Sequence, residues 1–191
     1  MNRRWALCCA MVGLGHLAVV KPLESAAASA PRAASGSATG LASAQPSLAL
    51  AIVPPADAAA PIEAARGFQV ALSNVGDQPV RVWRDSCSWG HENLSFELRD
   101  DGGAVTTVRR RPITWEKNFP DWATLAPGER LLFDVTLEPS GWLNLPALKP
   151  GEWRSVTLRA IYRSVSDRQA QLHRVWAGKV VSAPVVVAIR R

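Results

Sequence analysis

Cysteine, histidine and tyrosine are scarce in this sequence, with three, three and one among 191 residues. Cys8 and Cys9 fall in the apolar N-terminal run, which leaves Cys87 alone in the rest of the chain. A lone cysteine excludes an internal disulfide framework and reads as a buried small hydrophobe. Beyond His16 only His91 and His173 remain, and neither lies in a Gly-x-Ser-x-Gly or His-Glu-x-x-His pattern. A hydrolase needs a nucleophile, a base and an orienting group held together, and a metal site needs clustered donors. The sequence therefore assigns no catalytic residue, no metal ligand and no cofactor. Asp100-Asp101 sit next to Gly102-Gly103, where Asp serves as a turn former.

Long apolar runs are missing too. The N-terminal run from Trp5 to Val20 covers 16 residues, short of the ~20 that span a bilayer. With Asn2-Arg3-Arg4 before it and small residues from Ala26 to Ala30 after it, it reads as a signal peptide over 1–30. Residues 31–47 form an Ala/Ser/Gly-rich spacer with too little bulky apolar surface to offset the entropy of ordering. The folded domain is expected over 48–191, secreted or periplasmic, with no stable membrane span once the signal is removed. Charge of one sign is not concentrated along the chain either. Residues 1–47 carry four Lys/Arg and one acid, so the formal charge falls from 22 − 16 = +6 to 18 − 15 = +3. Only Arg109-Arg110-Arg111 forms a basic run, read as a solvated strand edge. Nucleic acid needs a basic stripe, so it is not an expected partner.

What is present is period-2 alternation. Leu48, Leu50 and Ile52 open the series, and Phe68, Val70 and Leu72 follow. Val80 and Val82 come next, then Leu94, Phe96 and Leu98, with a hairpin return at Val105. Leu131, Phe133, Val135 and Leu137 make a longer segment, as do Val156, Leu158, Ala160 and Tyr162, and Val185, Val187 and Ile189 close the chain. Alternate side chains of a strand face opposite ways, so each set is one buried face. Turn chemistry separates them: Asn74-Val-Gly-Asp-Gln-Pro79, Asp100-Asp-Gly-Gly103, and the near copies Leu125-Ala-Pro-Gly-Glu129 and Leu148-Lys-Pro-Gly-Glu152. Pro then Gly at the two central positions specifies a type II turn. No convincing 3.6-residue stripe occurs, so helix content is expected to be small. About eight strands punctuated in this way predict an all-β, two-sheet antiparallel sandwich.

The run Phe68-Gln-Val-Ala-Leu-Ser-Asn-Val-Gly-Asp-Gln-Pro-Val80, the two Pro-Gly-Glu strands and the closing Trp176-Ala-Gly-Lys-Val-Val-Ser-Ala-Pro-Val-Val-Val187 resemble bacterial secreted immunoglobulin-like or fibronectin-like domains. The resemblance covers most of residues 66–190 and implies an architecture rather than an activity. The Asn-turn-Pro-Val opening, Leu94-Ser-Phe-Glu-Leu-Arg-Asp-Asp-Gly102 and the Pro-Gly-Glu strand are also similar to the BsuPI-type proteinase-inhibitor domain, which implies inhibition of a protease.

Tryptophan is the one plentiful aromatic, with eight in all and seven beyond the signal. Trp83 and Trp153 are out of step with the apolar alternation around them. Trp89, Trp115, Trp122 and Trp142 fall in or beside loops, and Trp115 to Trp122 bound one aromatic loop. These four are the candidate ligand-binding residues. Two roles compete: covering the ends of the sandwich by burial, up to ~250 Å² a ring, or forming a recognition surface. The expected function is a non-enzymatic binding or structural module with a protein or polysaccharide partner. The alternatives are a carbohydrate-binding module using the surface tryptophans and a proteinase inhibitor.

Overall fold

The computed structural model of the chain describes residues 47–56 and 62–190. The expected signal peptide, and all of the expected spacer but Ser47, lie outside those residues. The elements run β1 (Leu48–Val53), β2 (Ile62–Glu63), β3 (Phe68–Asn74), β4 (Val80–Trp83), α1 (Ser88–His91), β5 (Leu94–Arg99), β6 (Val105–Arg110), β7 (Trp122–Leu125), β8 (Arg130–Val135), β9 (Trp142–Leu143), β10 (Trp153–Ser164), α2 (Arg168–His173), β11 (Gly178–Val181) and β12 (Val185–Arg190). The described residues are thus all-β with two short helices. Every alternating segment falls on a strand (β1, β3, β4, β5, β6, β8, β10 and β12), but the described residues hold twelve strands rather than about eight. β2, β7, β9 and β11 join them, each two to four residues long and too short to establish a period.

The strands form a three-stranded sheet, β1-β3-β8, a seven-stranded sheet, β2-β12-β10-β5-β6-β9 with β11 also on β10, and a two-stranded ribbon, β4-β7. In place of the two expected antiparallel sheets, three hydrogen-bonded groups occur, and β2 runs parallel to β12. Alternation directs the apolar faces of all three groups into one buried cluster. Phe68 of β3 meets Phe96 of β5 edge-on, with centroids 5.8 Å apart, and Phe133 of β8 lies 6.0 Å from Tyr162 of β10. These contacts join the three-stranded sheet to the seven-stranded one. Among the described residues no helix is long and apolar enough to cross a membrane.

The joints obey local residue chemistry. Glu129 N–H donates to Ala126 O and Glu152 N–H to Lys149 O, both at 2.9 Å, across Pro-Gly pairs whose glycines have φ of 81° and 80°. Each Glu carboxylate also accepts the N–H three residues back, from Ala126 at 2.8 Å and from Lys149 at 2.9 Å. The two near copies are therefore one clasped turn used twice. Asn74 explains the other motif. Its amide donates to Gln78 O and Leu125 O at 2.8 and 2.9 Å and accepts from Gly76 N–H at 3.0 Å. A buried amide is stable only when satisfied in this way, and it ties the β3–β4 turn to the first Pro-Gly-Glu turn. At the end of the chain, Ser182 and Pro184 part β11 from β12. Ser182 Oγ accepts Ala160 N–H at 2.9 Å, covering the donor that the break exposes.

Candidate functional site

The site begins at β4. Val82 points into the main core, and Trp83, one residue on, points the other way yet is only 1% exposed. Alternation alone would leave that ring in water. Three segments cover it instead, and together they form a second, smaller cluster of Trp83, Cys87, Ala170 and Val175 with Trp89 and Trp122 against it. Trp89 of α1 stacks on Trp83 with centroids 5.8 Å apart, and Trp122 of β7 meets it edge-on at 6.2 Å. His173 at the end of α2 lies 5.9 Å from Trp83 and 4.5 Å from Trp122. The Arg81 guanidinium sits 5.6 Å over Trp122 and donates to His173 O at 2.8 Å, closing the rim.

Each cover is held by backbone chemistry. Asp167 caps α2 by accepting Ala170 N–H at 2.7 Å, and Arg174 ends it in the left-handed region at φ 54°. Gly90 lets α1 lie on the end of β4, because a side chain there would run into the carbonyl of Arg84. Cys87, fully buried, gives its thiol to Arg84 O and Asp121 O at 3.5 Å each. His91 turns elsewhere: its Nε2 bonds Arg111 O at 2.9 Å and its ring meets Trp115 at 5.7 Å. Cys87 and His91 are thus not brought together as a thiol–imidazole pair. Beneath the cluster, the Tyr162 hydroxyl donates to Trp83 O at 3.3 Å. Burial pushes that phenol up to about 12, against the pull of the Asn93 amide that donates to its oxygen.

The loop between β6 and β7 runs beside this cap and is clamped at several points. Asn118 accepts Ser88 N–H at 3.0 Å and donates to Ser88 Oγ at 2.6 Å. Asp121 accepts from Ser86 Oγ, faces Arg84 Nε at 3.7 Å, and its carbonyl accepts Arg84 N–H at 3.0 Å. At the other end, Arg111 N–H donates to Gly141 O and its Nε to Pro139 O, at 2.9 and 2.8 Å. Between the clamps the loop holds two apolar side chains in solvent, Ile113 at 50% and Phe119 at 75% exposure.

Of the four tryptophans singled out from sequence, Trp89 and Trp122 join in the cap, half-buried, and Trp115 lies on the adjoining loop. Trp142 goes elsewhere, into the main core, and so takes the burial role of the two that competed for it. It is 5% exposed, packs on Phe96 at 5.1 Å, donates its indole N–H to Thr136 O at 2.9 Å and carries the Arg110 guanidinium 5.4 Å above it. Little of the ring is exposed, and what remains borders a shallow cavity shared with Arg110, Arg111 and Thr136. The basic triplet is not at a sheet edge, because β6 lies between β5 and β9; Arg110 pairs with Asp85 at 3.0 Å, while Arg109 and Arg111 stay exposed. Sequence reasoning does not single out Ile113, Phe119 or His173 for this site. A capping Asp before Arg168-Gln-Ala-Gln-Leu-His173 is the available signal for α2, whereas nothing local marks Phe119 as exposed.

Among the described residues no group of three His, Cys, Asp or Glu side chains gathers to hold a metal. The fold and this cluster together define an all-β protein with an aromatic cap on one outer face and a clamped apolar loop beside it. Compared with family models, curated proteins and solved structures, the chain matches none of them.

Proposed function

We propose that the chain is a non-enzymatic, secreted or periplasmic β-sandwich of the immunoglobulin-like type that binds a protein partner through the loop between Arg111 and Asp121. The clamped display of Phe119 and Ile113 carries this reading. Apolar side chains held in water by a loop already fixed at both ends lose little entropy on docking, so most of their burial appears as affinity. A large exposed ring among polar groups has the composition of an interaction hot spot. The immunoglobulin-like reading rests on opposed sheets whose alternating faces share one core. A sugar platform over Trp115, Trp122 and Trp142 loses support from the burial of Trp142. An inhibitor would be a special case in which the partner is a protease.

The test compares wild type with Phe119→Ala/Ile113→Ala as bait for proteins from the exported compartment, and against a panel of serine proteases. A partner kept by wild type and weakened by about 10- to 100-fold in the variant, at unchanged thermal midpoint, is the expected result. Identical binding by both proteins overturns the reading.

A further inference from the structure

The outer face of the seven-stranded sheet gathers charge that the sequence scatters. The alternation that sends Val156, Leu158 and Ala160 into the core sends Arg159 and Arg163 out. Strand register brings Arg99, Arg109, Lys179 and Arg190 to the same face from β5, β6, β11 and β12. All six are exposed. Glu97 stands among them, with Glu63 and Glu92 at the margins. The described residues hold 17 Lys and Arg and 14 Asp and Glu. Six cations against three carboxylates on this face account for the whole surplus of three, and the rest balances at 11 against 11.

Within the face, Arg163 and Lys179 stand opposite one another across β10 and β11. A like-charge pair in that position is unfavourable by itself, and an anion laid across it would relieve the repulsion. Arg109 reaches the same place through the row Ile161, Ser95, Arg109. With Asn93, Ser95 and Thr107 these three cations line an open cavity of about 550 Å³, which Glu92 and Glu97 also border. Glu97 faces Arg159 across the strands. No side chain of the cationic trio makes an ion pair with a described residue. Further along, Trp153 lies on the same face opposite Arg190, 64% exposed. From Arg163 to Trp153 the strand spans about 33 Å at ~3.3 Å per residue.

We propose that this face binds a carboxylate-bearing polysaccharide. Its carboxylates would meet Arg109, Arg163 and Lys179, its hydroxyls Asn93, Ser95 and Thr107, and the apolar side of one sugar the Trp153 ring. An open, elongated surface with cations and hydroxyls interleaved suits an extended sugar chain. None of the cavity's lining residues belongs to the Arg111–Asp121 loop, so this surface and the protein-binding loop are tested separately.

Calorimetric titration of the full chain with alginate, a polyuronate, is the experiment, with neutral dextran, poly-glutamate and duplex DNA as the other arms. Alginate is expected to bind and dextran to fail. Affinity should fall steeply between about 0.02 M and about 0.5 M salt, as screened charge contacts do. Arg109→Gln/Arg163→Gln/Lys179→Gln should weaken alginate by about tenfold or more at unchanged thermal midpoint. Trp153→Ala should weaken it without changing the salt dependence. Absent alginate binding at low salt, or equal binding by the triple variant, overturns the proposal. Poly-glutamate or DNA binding as tightly as alginate overturns the polysaccharide assignment.

Discussion

Tyr162 is the only tyrosine of the chain, and it lies wholly inside, with its hydroxyl under the carbonyl of Trp83. Desolvation disfavours the phenolate, which is why its pKa rises from 10.0 to about 12. In the unfolded chain the phenol ionises at its ordinary value, so above pH ~10 the unfolded state holds fewer protons than the folded one. The stabilisation is complete below pH ~10 and is lost as pH rises through about 12, a total loss of about 2–3 kcal/mol. Chemical denaturation at stepped alkaline pH should show that decline, and Tyr162→Phe should flatten it. Because no other tyrosine competes, tyrosinate absorbance reads the same group directly. A phenol that titrates at its ordinary value in the native protein would contradict the burial.

Among the elements, α2 covers two rings of the cap. It places Ala170 and His173 on the outer side of Trp83 and Trp122, and Asp167 is its cap. Asp167→Ala removes the acceptor for one first-turn N–H, a loss of about 1 kcal/mol. The same change should shift indole fluorescence to the red, since water then reaches rings that the helix covers. Lower stability with an unchanged emission maximum would mean that the cap does not depend on this helix. The paired Pro-Gly-Glu turns work at the same scale: one sequence motif, twice clasped by its own carboxylate, starts β8 and β10 in register.

For the whole molecule, the main core and the aromatic cap share β4 and β7. Val82 and Ala123 belong to the first cluster, while Trp83 and Trp122 belong to the second or pack against it. Two cores built on opposite sides of one ribbon should melt together. Thermal unfolding followed by tryptophan fluorescence and by far-ultraviolet circular dichroism is expected to give one coincident transition. A fluorescence change well ahead of the loss of strand signal would make the cap a separable unit.

Sequence alone determined the longer alternating strands and their inward faces, because a two-residue period records which side of a ribbon meets the core. The short β2, β7, β9 and β11 left no such record. Leu94, Phe96 and Leu98 can be assigned without coordinates, as can both Pro-Gly-Glu turns, whose φ requirements are local. What lies across strands has no local record. That Trp83 is covered while Trp153 is bare depends on whether a helix from far along the chain lands on the ring, though both rings break the alternation in the same way. Trp142 resembles a loop ring in sequence because its strand has two residues. Scattered arginines became a charged face only when register aligned five strands, and Phe119 became an exposed group only when side chains from another loop pinned its neighbours. Periodicity is a property of one segment. Cover, clamping and shared charge are properties of segments brought together, and only tertiary structure decides them.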